Sequence, residues 1–411
     1  MRVHAAAAAA VMVLALTAAL TQGALLRRQP PSLSTDFYDI CDQVRLLGAP
    51  CEHHTITTAD GFELLAIRIP STAPTTSYPV VLQHGLVDSA VTWVANAHAY
   101  QNLGTMLHAD NSGRTYDVWM PNSRGNHYSM ANKNYPTEDS RDTAYWQSID
   151  MDLMAKYDLP AVIDYVLNAT GRTTLTWVGH SQGTWQAFSA FSTVHPSYAD
   201  KVDLFVALAP VAYVGHSTSL LLRIIADLDA GQIIEFLGFK EFLVNDWLLR
   251  QISKVCPDVG HLCQDALDLV FGHGNPANRN DTQYAQILRY DPGGTSVNNM
   301  LHWVQELKRD TYAMHDYGRA TNEQKYHQAT APSYHLSQMT KPPTALFAGT
   351  SDALADPQDV EVLVSQVPPA AIVNATYVDG YNHMDFVWGL DAHTRVYPKI
   401  MQLIAQYKRG V

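Results

Sequence analysis

A mostly parallel α/β sheet wound with helices, and broken late by a helical insert, is the fold that three observations predict. Short apolar runs ending at Gly, Pro or Asn alternate with segments of helical periodicity, which is the pattern of parallel strand-helix-strand units. One of those runs, Thr173 to Val178, passes through Gly179-His180-Ser181-Gln182-Gly183 straight into a helical stretch. Between about Val211 and Leu336 the alternation stops. With 411 residues and 47% hydrophobic content, the chain can bury a large core.

In chain order, the first residues join a basic start at Arg2 to an apolar run from Ala5 to Leu20 and small residues near Gly23. That is the form of a signal peptide over residues 1–23, and it predicts entry into the secretory route. The run is short for a membrane span, and no later segment reaches ~18 uninterrupted apolar residues, so no stable transmembrane segment is expected. Residues 24–54 make an N-terminal segment. The first part of the core, residues 55–210, holds strand-like "FELLAIRIP", "YPVVLQHG" and "YDVWMPNSRGN". A long helix follows in "YWQSIDMDLMAKYDLPAVIDYVLNATG". There Met151, Met154, Leu159, Val162, Ile163, Val166 and Leu167 recur at three- and four-residue steps and Gly171 ends the run. Next come the Thr173–Val178 strand, the helix after Ser181 and the strand "VDLFVALAP".

Residues 211–336 read as a helical cap. "LLLRIIADLDAGQIIEFLGFKEFLVNDWLLRQI" is amphipathic, and a Gly- and Asn-rich loop region covers Gly272 to Asn299. Its apolar faces suit either packing on the core or contact with lipid. The second part of the core, residues 337–411, supplies the strands "PPTALFAGT" and "NATYVDG" with helical segments around the latter.

A net charge of −12 at pH 7 argues against nucleic acid as a partner. The four cysteines form two close pairs, Cys41 with Cys51 and Cys256 with Cys263, which in an oxidising compartment predict disulfides, with three connectivities open. A metal set of Cys256, His261, Cys263 and His273 matches no zinc spacing, and "GHGNPAN" does not join a strand to a helix as phosphate loops do. No metal or cofactor is therefore expected. Sequons at Asn168, Asn280 and Asn374 are glycosylation candidates that accord with secretion.

The Gly-x-Ser-x-Gly at Gly179–Gly183 carries the chemistry. A strained strand-to-helix turn needs small neighbours to expose its serine, so Ser181 is the candidate nucleophile. A serine hydroxyl is nearly inert at neutral pH and needs a base oriented by a carboxylate, which should follow in the order acid, then histidine. Asp352 lies three residues beyond the strand "TALFAG"; Asp356, directly before Pro357 and a periodic run, reads instead as a helix N-cap. His383 follows the turn at Asp379-Gly380 after the last strand, whereas His393 sits in a helical run. Backbone N–H donors for a tetrahedral oxyanion are expected from Gln182 and from Leu86 in "HGLVDS", where Gly85 permits close approach.

At "LQHGLVDSAVTW", "DVWMPNSRGNHYS", "MAKYDLPAVIDYV", "GHSQGT", "DPGGTSVNNMLHW", "LADPQDV" and "YNHMDFVWG" the chain resembles the acid lipase family of gastric and lysosomal type, over nearly all of the mature chain. The resemblance implies an α/β-hydrolase core, a cap between strands six and seven, and hydrolysis of neutral lipid esters at a lipid–water interface. It assigns the triad to Ser181, Asp352 and His383, the oxyanion donors to Leu86 and Gln182, and a cap disulfide to Cys256 with Cys263. Some members are secreted and others act in lysosome-like compartments. The Cys41–Cys51 pair and the stretch "YWQSIDMDLMAKYD" depart from the family pattern. Triacylglycerol lipase is the expected activity. Steryl ester hydrolase, short-chain carboxylesterase and a non-catalytic lipid-binding or storage protein are the alternatives.

Overall fold

In a computed structural model of the chain, the described residues are 39–110, 114–137, 143–227, 241–242, 262–279 and 281–409. The expected leader, Cys256 and Asn280 lie outside them, as does the side chain of Cys263.

The strands are β1 (Glu52–Thr57), β2 (Glu63–Ile69), β3 (Tyr78–Gln83), β4 (Tyr116–Pro121), β5 (Leu175–His180), β6 (Val202–Leu208), β7 (Glu241–Phe242), β8 (Thr295–Ser296), β9 (Thr344–Gly349) and β10 (Ile372–Val378). Eight of them form one sheet in the order β1-β2-β4-β3-β5-β6-β9-β10, antiparallel as far as β4 and parallel beyond it. Strands β3, β4, β5, β6 and β9 are buried at every position, as strands covered by helices on both faces must be. That is why their sequences are continuous apolar runs.

Four local features differ from the sequence reading. Strand β1 has no counterpart there, because it is an edge strand with only Ile56 buried and so carries no alternating pattern. The long helix is broken into Thr143–Gln147, Met151–Leu153, a π-helical turn Met154–Asp158 and Leu159–Thr170. Asp150, in extended backbone, restarts it by accepting from the N–H of Leu153 at 2.9 Å. Pro160 has no N–H for the Lys156 carbonyl, and that carbonyl accepts instead from Nε2 of His195 at 2.8 Å. Glu241–Phe242, within a segment whose pattern is helical, pairs antiparallel with Thr295–Ser296. The loop region from Gly272 to Asn299 also contains the helix Asp281–Ile287 and the start of the helix Val297–Arg309.

The insert lies between β6 and β9, which are neighbours in the sheet. Its described helices are Leu220–Asp227, Leu262–Phe271, Asp281–Ile287, Val297–Arg309 and Arg319–Tyr326. No described helix is long and apolar enough to cross a membrane. Loops at the C-terminal ends of β3, β5, β9 and β10 hold Leu86, Ser181, Asp352 and His383, the usual place for a site in an open parallel sheet. A disulfide joins Cys41, in the helix Ile40–Leu46, to Cys51 just before β1.

Candidate active site

Ser181 sits at the junction of β5 and the helix Gln182–Ser189 with φ of 52° and ψ of −122°, a strained conformation for a residue with a side chain. The two flanking glycines make that turn possible. A Cβ on Gly179 would lie 2.6 Å from the Gly183 carbonyl carbon, and one on Gly183 would lie 2.5 Å from the carbonyl oxygen of Gln83. Backbone therefore packs directly on backbone across the turn, and the N–H of Ser181 is held by Leu208 O at 3.1 Å on the neighbouring strand.

Asp352 and His383 come together from the loops after β9 and β10. Nδ1 of His383 donates to the Asp352 carboxylate, at 3.0 Å from Oδ1 and 2.9 Å from Oδ2. The carboxylate is fixed in turn, because Oδ1 also accepts from the N–H groups of Leu354 at 2.9 Å and Ala355 at 2.8 Å. Nε2 of His383 is buried and has no hydrogen bond among the described residues. Asp356 faces away from this pair in its bonding, since its Oδ1 accepts from the N–H of Gln358 at 2.9 Å and caps the helix Pro357–Gln366. His393 bonds Leu390 O in a short helix.

His180 ties the Ser181 turn to the His383 loop. Its Nε2 donates to the His383 carbonyl at 2.9 Å, and burial pushes its pKa down to about 3, so the ring is neutral. From the cap, the Phe271 carbonyl accepts from the N–H of His383 at 3.1 Å and of Ala353 at 3.2 Å. One carbonyl thus joins the loops that carry Asp352 and His383.

The loop after β3 approaches Ser181 closely, since a Cβ on Gly85 would lie 2.9 Å from Ser181 Cβ. His84, whose pKa burial lowers to about 4, is neutral. Its Nε2 accepts from the N–H of Ser123 at 2.9 Å, which leaves the hydrogen on Nδ1 to be donated to the Gly85 carbonyl at 2.8 Å. In a trans peptide the C=O of Gly85 and the N–H of Leu86 point opposite ways, so pinning the carbonyl also aims the Leu86 N–H. Val87 follows with φ of 52°, a second strained residue beside the site. Gln182 is the first residue of its helix, and its N–H has no intrahelical acceptor.

Behind this loop two carboxyl groups are buried together. Burial pushes Asp88 up to about 6, and burial plus the charge of Asp88 raises Asp291 well above the usual carboxylate range. Gly293, two residues on from Asp291, donates its N–H to Val87 O at 2.6 Å and so braces the loop. An apolar cluster of Leu222, Phe242, Val297, Met300 and Val304 from the cap packs against Leu86, Val87 and Leu354. An apolar cluster therefore packs on the candidate oxyanion loop at Leu86 and on the loop after β9.

Sequence reasoning missed His84, His180, Phe271 and the buried Arg124, which bonds Asp158 and Asp60 at 2.6 and 2.7 Å. Each has a partner far away in the sequence, and only the short motifs His-Gly and Gly-His-Ser hinted at two of them. Among the sequon residues, Asn168 is exposed near the end of the helix Leu159–Thr170. Asn374 is half-buried, with Nδ2 on Leu346 O at 3.3 Å and Thr376 Oγ1 at 3.0 Å.

A sequence profile of the α/β hydrolase fold matches residues 78–390, and one of a partial α/β-hydrolase lipase region matches residues 40–97. Gastric triacylglycerol lipase of Bos taurus is 38% identical over 387 residues, covering 90% of this chain and 92% of that protein. Human lysosomal acid lipase/cholesteryl ester hydrolase is 38% identical over 379 residues, covering 90% and 91%. Among solved structures, naproxen esterase from Bacillus subtilis superposes with a TM-score of 0.50 at 14% identity, over 91% of this chain and 99% of that one, a likeness of fold.

Proposed function

Since the chain belongs to the gastric and lysosomal acid lipase family of the α/β hydrolases, we propose that it hydrolyses the carboxylic ester bonds of neutral lipids, triacylglycerols above all, through an acyl enzyme on Ser181. The observation that carries the reading is the strained Ser181 at the strand-helix turn, together with a buried His383 bonded through Nδ1 to Asp352 and unpartnered at Nε2.

In the mechanism, Ser181 Oγ adds to the ester carbonyl while Nε2 of His383 takes its proton. The negative oxygen of the tetrahedral intermediate is stabilised by the N–H groups of Gln182 and Leu86. Collapse breaks the ester C–O bond, and His383 gives its proton to the departing alcohol. Water then attacks the acyl-Ser181 with the same base, and the fatty acid leaves. Asp352 keeps the hydrogen on Nδ1 and stabilises the imidazolium that forms.

The apolar cluster in which Phe242 and Met300 pack against Leu86, Val87 and Leu354, next to Asp352, supports a hydrocarbon acyl group as ligand. The residue 1–23 leader pattern and the Cys41–Cys51 disulfide support a secreted protein. Steryl ester hydrolysis is the second reading, favoured by the name of the human lysosomal relative. Initial rates on emulsified trioleoylglycerol, cholesteryl oleate and a soluble short-chain ester, with Ser181→Ala in parallel, test the proposal. Turnover of the triacylglycerol emulsion that vanishes in the variant supports it. Turnover of only the steryl ester or only the soluble ester replaces it with that activity.

A further inference from the structure

Gln182 is anchored in an unusual way for a residue valued for its backbone. Its side chain is buried, and Oε1 accepts from Nδ2 of Asn299 at 2.9 Å and from Nε1 of Trp303 at 2.8 Å, while Nε2 contacts Met154 Sδ at 3.3 Å. Both donors lie on the cap helix Val297–Arg309, four residues apart and therefore on one face. Asn299 is itself fixed: its N–H donates to the capping Ser296 Oγ at 2.9 Å and its Nδ2 also reaches Thr295 Oγ1 at 3.1 Å. The backbone N–H of Gln182 takes no part in this network. The side chain is held by the cap, while the N–H has no hydrogen bond among the described residues and can face the reacting carbonyl.

We infer that Asn299 and Trp303 are positioning residues for the reaction: they grip Gln182 by its side-chain carbonyl and thereby aim its backbone N–H, so that the cap helix completes the oxyanion site. This rests on the serine hydrolase reading above. The chemistry requires it to matter, because an oxyanion donor contributes only when its hydrogen meets the developing charge within hydrogen-bond distance, and a small rotation of the first helical peptide removes it. A purely structural role for the same bonds would lower stability and leave transition-state binding alone.

The test uses the full-length protein and a soluble short-chain ester. Trp303→Phe keeps the ring and removes its donor; Asn299→Asp keeps the shape and sets a carboxylate against Oε1; Gln182→Met keeps length and backbone and removes the acceptor. The predicted result is a kcat about 10-fold lower in each single variant, with KM within about twofold, since only transition-state contacts are lost. Affinity for an alkyl boronic acid, whose adduct on Ser181 carries a tetrahedral oxyanion, falls by the same factor. Adding Trp303→Phe to Gln182→Met costs nothing further, as expected when two changes break one interaction. Folded variants with unchanged kcat and boronate affinity overturn the inference, as does additive loss in the double variant. If Trp303→Phe fails to fold, the Asn299→Asp and Gln182→Met arms decide by the same criteria. Turnover that persists in Ser181→Ala overturns the hydrolase reading instead, a result distinct from all of these.

Discussion

Asp352→Asn isolates the role of the acid because the site dictates which way the amide must lie. Oδ1 of Asp352 accepts from two backbone N–H groups, at 2.9 and 2.8 Å, and also lies 3.0 Å from Nδ1 of His383, while Oδ2, at 2.9 Å from that Nδ1, has no backbone donor among the described residues. An asparagine therefore leaves its oxygen under the backbone donors and turns its NH2 towards His383. Nδ1 becomes an acceptor, the ring hydrogen moves to Nε2, and Nε2 can no longer take the serine proton. Reversing the amide restores the tautomer but orphans two buried N–H groups at about 1–3 kcal/mol each. At about 1.4 kcal/mol per decade, that cost alone lowers kcat by roughly 30- to 10⁴-fold. Loss of the charge that stabilises the imidazolium moves the total towards the upper end, ~10⁴. The assay is kcat on a soluble ester beside a thermal melt. Asp356→Asn is the control, since asparagine caps a helix as well as aspartate does, and it should keep wild-type turnover. A folded Asp352→Asn with more than about a tenth of wild-type kcat refutes the argument, and so does an Asp356→Asn that loses activity.

Three further outcomes are expected. Gly183→Ala places a Cβ 2.5 Å from Gln83 O and 2.9 Å from His84 O, so it should cost about 1–3 kcal/mol by overpacking and lower kcat by driving the oxyanion loop from the elbow; denaturant melts and initial rates check both. Arg124→Met leaves the buried Asp158 and the half-buried Asp60 without their cation and should destabilise by about 3–5 kcal/mol in urea unfolding. The Asp88–Asp291 pair sets a pH dependence: folded-state values raised above the unfolded ~3.9 give stability that is complete below that pH and lost as pH rises through the folded value, about 6 for Asp88. A shift of that size is on the order of 3 kcal/mol, so the melting temperature should fall between pH 4 and 7, and Asp291→Asn should flatten the fall. Equal slopes in the two proteins would remove the pair as its source.

What could be read from sequence followed the range of the interactions. Strands β3, β5 and β9 were legible because burial on both faces demands unbroken apolar runs. The glycines around Ser181 were legible because a positive-φ turn with backbone packed on backbone tolerates nothing larger. Asp352 could be separated from Asp356 because a proline after an aspartate announces a helix cap, a rule confined to two adjacent residues. Strand β1 was hidden by its exposed edge position, and the π-helical turn by an apolar periodicity that runs through it unchanged. The grip of Trp303 on Gln182 spans 121 positions, and that of Arg124 on Asp60 spans 64. No local pattern encodes such contacts, since they arise from where the cap and the β4 loop come to rest.

Covalent trapping of the nucleophile tests the central claim most directly. An alkyl fluorophosphonate with a long chain is reacted with the protein, and the labelled peptide is identified by mass spectrometry in wild type, His383→Ala and Ser181→Ala. A single adduct on Ser181 is predicted, formed far more slowly in His383→Ala and absent from Ser181→Ala, with ester turnover lost in step with labelling. An adduct on another residue that abolishes turnover, or turnover that continues with Ser181 fully labelled, would contradict it.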